Sequence, residues 1–107
     1  MGARPGFTRV FRAVSENEYE QILTTSTFEI VKEGSEGKYF ADTIEGARRF
    51  GEALMGIGQF RLIEADVPDD APSLFQWDNL DGRGPARFLH IGDLKDVRPQ
   101  PYEGGDT

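Results

Sequence analysis

Few side chains in this sequence are equipped for chemistry. Cysteine is absent and His90 is the single histidine. That excludes a thiol nucleophile, a zinc–thiolate centre and a disulfide framework. The carboxylates are scattered without metal-ligand spacing. Gly56-Ile57-Gly58-Gln59-Phe60 lacks a third glycine and precedes a strand, the reverse of a dinucleotide-binding turn. No serine sits in a nucleophile elbow. What remains is Arg12, inside an apolar strand, and Tyr39, within Gly37-Lys38-Tyr39-Phe40-Ala41. A guanidinium presents its donors as a fixed fork that suits a diphosphate. A tyrosine at a strand end offers a flat face on which a planar ligand can stack.

These two residues must be positioned by short elements. Residues 8–14 alternate as a strand, with Val10, Arg12 and Val14 on one face, so one arginine points inward. Ser15-Glu16-Asn17-Glu18 matches a capping box, with Ser15 bonding the Glu18 amide and Glu18 reaching back. Tyr19, Ile22 and Leu23 then predict a helix over 16–25. Residues 28–32 read as a second strand, 34–37 as a loop and 38–41 as a strand. Asp42 with Glu45 forms a second capping box. It opens a helix whose inward row is Ile44, Ala47, Gly51 and Leu54 and which ends at Gly56-Ile57-Gly58. Gly46 and Gly51 weaken that helix intrinsically and mark close packing.

Further along, residues 60–67 alternate, with Ile63, Ala65 and Val67 in the more apolar row. Residues 73–84 read either as an ordered loop over the core or as a ligand-facing lid, with Trp77 capping the core. Within them Gly82-Arg83-Gly84 reads as an anion-binding turn or as a plain loop tip. Residues 87–91 form another short strand. The mixture of short alternating strands with two short helices predicts an α+β fold: a single small domain with a mainly antiparallel sheet. The domain spans 7–99, with flexible termini at 1–6 and 100–107.

Composition bounds the partners. A chain of 107 residues with eight Phe and one Trp can build one core. A net charge of -7 repels nucleic acid and anionic membranes, and suits a basic partner or simple solubility. No apolar run approaches membrane-spanning length. The lack of cysteine fits a cytoplasmic setting, including that of an effector delivered to a cytoplasm.

Four segments in order carry a family resemblance. Val10-Phe11-Arg12-Ala13-Val14-Ser15 leads into a capped helix containing Ile22-Leu23. Lys38-Tyr39-Phe40-Ala41-Asp42, with Ala47, opens the second helix. Phe60-Arg61-Leu62-Ile63-Glu64-Ala65-Asp66-Val67 is a central strand. Phe88-Leu89-His90-Ile91 through Val97-Arg98-Pro99 closes the set. Over residues 10–99 this order resembles that of the ADP-ribosyltransferases. The resemblance implies that the antiparallel sheet is split, and that the domain takes NAD as substrate, cleaves its nicotinamide–ribose bond and passes ADP-ribose to a macromolecule or to water. It implies that Arg12 contacts the ribose or phosphate and that Tyr39 stacks on nicotinamide. The implied cofactor-binding set is Arg12, Ala13, Tyr39, Phe40, Phe50 and Arg87, and the implied catalytic set is Arg12, Tyr39 and His90. The chain departs from the family at the third motif. Where a glutamate normally bonds the ribose hydroxyl, it reads Pro85-Ala86-Arg87-Phe88-Leu89-His90. Glu64 is a carboxylate in reserve.

Each of these residues also has a plainer role: Arg12 as the partner of a carboxylate such as Glu64, Tyr39 as a strand aromatic, and His90 as a structural histidine. The acidic balance supports a reading of another class. In it the chain is a non-enzymatic binding module, of inhibitor or immunity type, acting on a basic protein partner.

Overall fold

Alternation along β1 (Phe7–Val14) sends Val10 and Val14 to a face where they are 0% and 1% exposed. Arg12, between them, shares that face. The computed structural model describes residues 5–28 and 37–103. β1 is followed by α1 (Glu16–Thr25), β2 (Gly37–Ala41), α2 (Ile44–Leu54) and β3 (Arg61–Pro68). Then come β4 (Phe75–Trp77), β5 (Ala86–His90) and β6 (Gln100–Pro101). Short 3-10 turns occupy Leu80–Gly82 and Ile91–Leu94. The strands form one antiparallel sheet in the order β4-β5-β2-β1-β3-β6. The chain is thus an α+β single domain with two helices.

One face of the sheet carries the main core. Val10, Val14, Ile63, Val67, Phe40 and Leu89 pack there against Ile22 of α1 and against Phe28, Leu94 and Val97. The other face is covered only in part. α2 lies over the row of Phe11, Ala13 and Ala41, and Tyr102 closes on Phe11 edge-to-face at 5.7 Å. The face of β2, β5 and β4 beyond α2 has no helix over it among the described residues.

Pairing along the sheet is uneven. β1 and β3 are in register over eight residue pairs and β2 and β5 over five. β1 and β2 meet at a single pair, Phe11 and Ala41. The sheet is therefore two three-stranded halves joined at one point, so a split runs through its middle.

Local signals account for most elements. Ser15 caps α1 by accepting from the Glu18 amide at 3.1 Å, and the helix ends at Ser26 in the left-handed region. Glu18, however, does not reach back to Ser15; its carboxylate serves Arg12 and Lys38. At α2 the cap is Thr43 and not Asp42. Thr43 Oγ1 accepts from the Gly46 amide at 3.0 Å, because Asp42 is taken by Arg87. Residues 75–77 are a strand rather than a loop. Gln100–Pro101, assigned by the sequence to a flexible tail, pair with β3 instead, and the Tyr102 amide donates to the Leu62 carbonyl at 3.0 Å. Of the strand expected at 28–32, residues 29–32 lie outside the described residues. Phe28 is buried against Phe40, with centroids 5.5 Å apart.

Ser73 ties the approach to β4 to the turn after β5. Its hydroxyl accepts from the His90 amide at 2.9 Å and donates to Asp93, and its own amide donates to the same carboxylate at 3.1 Å. The Ser73 hydroxyl, then its amide, hold the Asp93 carboxyl below the ordinary aspartate range, with a smaller contribution from His90.

Two predictions follow from this packing. A Cβ on Gly51 would stand 2.6 Å from the Phe60 ring. Alanine elsewhere in a helix gains about 1 kcal/mol over glycine, but overpacking costs about 1–3 kcal/mol. Gly51→Ala is therefore expected to lower the urea midpoint; a raised midpoint would refute the close approach. The lowered Asp93 pKa contributes stability that is complete above the usual value of about 3.9. That contribution is lost as pH falls through the lower folded value. Asp93→Asn should flatten the acid limb of stability against pH, measured by urea unfolding at successive pH values.

Candidate functional site

Beyond the Phe11–Ala41 pair the strands part, and Arg12 occupies the gap. Its Nη1 donates to the Tyr39 carbonyl at 3.1 Å. That backbone group lies on the far side of the split, so a side chain makes the link that a ladder bond would otherwise make. The rest of the guanidinium is held from α1, with Nε 3.2 Å and Nη2 3.4 Å from the two oxygens of Glu18. Lys38 Nζ approaches the same carboxylate at 3.8 Å. Arg12, Lys38 and Glu18 together carry one net positive charge, in a chain whose total is -7. The carboxylate partner of Arg12 is thus Glu18. Glu64 pairs with Arg9 at 3.4 Å instead and bonds Gln100.

The gap opens beside α2 into two connected spaces. The inner one is a hollow of about 70 Å³ whose walls include Arg12, Ala13, Tyr39, Phe40, Phe50 and Leu54. The outer one is a cleft of about 330 Å³ bounded by Arg12, Tyr39, Phe50, Leu54, Trp77, Leu80, Asp81 and Arg83. The hollow holds little more than water. The cleft lies at the lower end of the range for small-molecule sites, roughly 300–1,000 Å³.

The floor of the cleft is aromatic, formed by Tyr39 and Trp77 as part of a longer row of rings. Tyr39, Phe88, Trp77 and Phe75 project from one face of β2, β5 and β4, where register pairs Tyr39 with Phe88 and Phe88 with Phe75. Ring centroids are 4.9 Å apart for Tyr39–Phe88, 5.8 Å for Tyr39–Trp77 and 4.7 Å for Phe75–Trp77. Tyr39 is 53% and Phe75 57% exposed, a large apolar surface to leave in water. Trp77 belongs to this floor and faces away from the main core, so it does not cap that core. A core-capping role was inferred from its loop-like surroundings; pairing with β5 turns it to the other side.

The outer wall is the loop from Asn79 to Gly84, which is bonded to itself. The Leu80 amide donates to the Gly84 carbonyl at 2.9 Å, and the Gly84 amide to Asn79 Oδ1 at 2.9 Å. The loop sits against α2 at Gly46, where an added Cβ would lie 3.1 Å from the Arg83 carbonyl. Arg83 lies over the Phe50 ring at 5.2 Å and its Nη1 is 3.6 Å from Asp81. Asp81 has a φ of 56°, an uncommon conformation for a non-glycine residue. It is the one carboxylate among the residues bounding the two spaces.

Five of the residues singled out in the sequence therefore meet at one place: Arg12, Ala13, Tyr39, Phe40 and Phe50. Two do not. Arg87 is 5% exposed and on the core face, with Nε 3.0 Å and Nη2 3.2 Å from the oxygens of Asp42. Alternation on β5 puts it on the face opposite Tyr39, where it fastens the sheet to the start of α2. His90 lies at the far end of β5, paired with Gly37. Its Nδ1 accepts from the Gly92 amide at 3.1 Å, and it borders neither space. Trp77, Leu80, Asp81 and Arg83 also bound the cleft. Their sequence signals were the alternative of a ligand-facing lid over 73–84 and, for Arg83, that of an anion-binding turn at Gly82-Arg83-Gly84.

No group of His, Asp or Glu able to hold a metal ion occurs among the described residues, and no helix among them is long and apolar enough to cross a membrane. Comparison with family models, with curated proteins and with solved structures returned no match to this chain.

Proposed function

We propose that the domain is ADP-ribosyltransferase-like and binds NAD in the cleft beside the split. One observation carries this reading. Arg12 and Tyr39 come from opposite sides of the single-pair junction and bound the same aromatic-floored space. Arg12 is tied to the Tyr39 carbonyl and to Glu18, and its cation also stands at the edge of a space that an exposed ring bounds, the pairing that a ligand with both a planar ring and a diphosphate calls for.

In this reading the nicotinamide ring stacks on Tyr39, with Trp77 beside it, where a flat face and partial exclusion of water favour an aromatic guest. The diphosphate lies toward Arg12. Glu18 holds that guanidinium in place, while Lys38 leaves the local balance positive. The cleft of about 330 Å³ suits half of a dinucleotide, so the adenosine half extends over the open face.

The reaction the family resemblance implies is heterolysis of the nicotinamide–ribose bond. Nicotinamide departs with the bonding electron pair, and a nucleophile on an acceptor, or water, forms the new bond to the ribose carbon and releases a proton. Stabilising the developing positive charge calls for a nearby carboxylate. The strand position that supplies it in the family holds none here. Asp81 is the carboxylate the cleft offers, on a loop and partnered by Arg83.

Calorimetric titration of the folded protein with NAD tests the reading. Binding should be measurable at or below millimolar NAD and should release no heat in a control with adenosine-free phosphate. Tyr39→Ala is expected to weaken it by about 1–3 kcal/mol, the usual worth of a stacked base. A folded protein that binds no NAD at millimolar concentration overturns the proposal.

A further inference from the structure

We propose that the β4 edge, with the aromatic face behind it, is a docking surface for an extended arginine- or lysine-rich segment of another protein. The inference does not require NAD binding, although the ring row it uses begins at Tyr39 and Trp77 of the cleft, and it rests on three observations that coincide in one stretch of chain.

The first is the edge itself. β4 stands at the end of the sheet and pairs only with β5 among the described residues. Sheet edges are commonly protected by short length, lysine, proline or a bulge. Phe75-Gln76-Trp77 has only the first of these, so its backbone is left open to a further strand. Three residues make a short ladder, so backbone pairing alone would hold a partner weakly and side chains must supply the rest.

The second is the exposed ring surface. Phe75 lies outside the cleft and is 57% exposed, and with Trp77 it continues the row that begins at Tyr39. Such faces attract guanidinium and ammonium groups.

The third is charge, and it decides the class of partner. From Leu62 to Gly82 the sequence contains no Lys, Arg or His, yet it carries Glu64, Asp66, Asp69, Asp70, Asp78 and Asp81. Arg9 pairs with the first two, and Asp69 is engaged by Thr8 and Arg87. Asp70 and Asp78, which precede and follow β4 in the sequence, are exposed. A nucleic acid or an anionic membrane would bring phosphates against them. A basic strand alternating cationic and small residues would instead set its cations over the rings and near these carboxylates, while its backbone extends the sheet.

The experiment uses the whole chain and a fluorescein-labelled peptide alternating Arg and Thr, with an alternating Glu-Thr peptide as the control. Anisotropy should show saturable binding of the Arg peptide alone, weakening at least about tenfold as salt rises from about 0.05 to about 0.3 M. Amide shifts in a nitrogen-15 correlation spectrum should centre on residues 75–78. Phe75→Ala and, separately, the fully surface change Asp78→Lys should each weaken binding about tenfold, with NAD titration unaltered by Asp78→Lys. The proposal is overturned by no saturation at millimolar peptide, by equal binding of the Glu peptide, or by shifts that map to α1.

Discussion

The Phe11–Ala41 junction, with Arg12 beside it, is the constraint on which the remaining structure depends. The two strands on either side of it are anchored by different partners, β1 by β3 and β2 by β5. Each half of the sheet therefore keeps its own register, and the halves need agree at one pair only. That frees them to diverge. Divergence exposes backbone groups that a continuous ladder would satisfy, and Arg12 meets the Tyr39 carbonyl across the opening. Because a partly buried cation is costly without an anion nearby, Glu18 from the first turn of α1 is the natural complement. A strand residue, a helix cap region and a split in the sheet thus form one arrangement.

The rest of the cleft follows from where α2 ends up. It covers the β1 side of the second face and stops short of the β2-β5-β4 side. The hydrophobic gain from covering Phe11, Ala13 and Ala41 is realised, and the aromatic row beyond is left in contact with water. Gly46 and Gly51 let the helix come close to the Asn79–Gly84 loop and to Phe60, which draws in the cleft's outer wall. Arg87 and Asp42, on the core face, hold the start of α2 against the end of β5.

Much of this was legible in the sequence wherever the determining interaction is local. Ser15 capping Glu18, the alternation of Val10, Arg12 and Val14, and the buried row of Ile63, Ala65 and Val67 all act within a few residues. Legibility failed where a distant residue decided the outcome. Asp42 has good capping chemistry, but Arg87, 45 positions away, claims it, and Thr43 takes the cap. β4 is three residues bounded by turn-formers, so its strand character comes from β5 and not from its own pattern. Gln100–Pro101 has the composition of a frayed end, yet β3 offers an unpaired edge and Tyr102 finds Phe11. In the same way, Arg12, Tyr39 and Phe50 could be chosen from the sequence, whereas Trp77, Asp81 and Arg83 reach the cleft only through the fold.

The Asn79–Gly84 loop has one more consequence. Its hydrogen bonds run from Leu80 and Asn79 to Gly84, so it closes on its own backbone, and it meets α2 through the Arg83 carbonyl at Gly46 and the Arg83 guanidinium over Phe50. It is built as a cassette. Those internal bonds involve no strand residue, so a change in its length or side chains would reshape the cleft wall and leave every strand register in place.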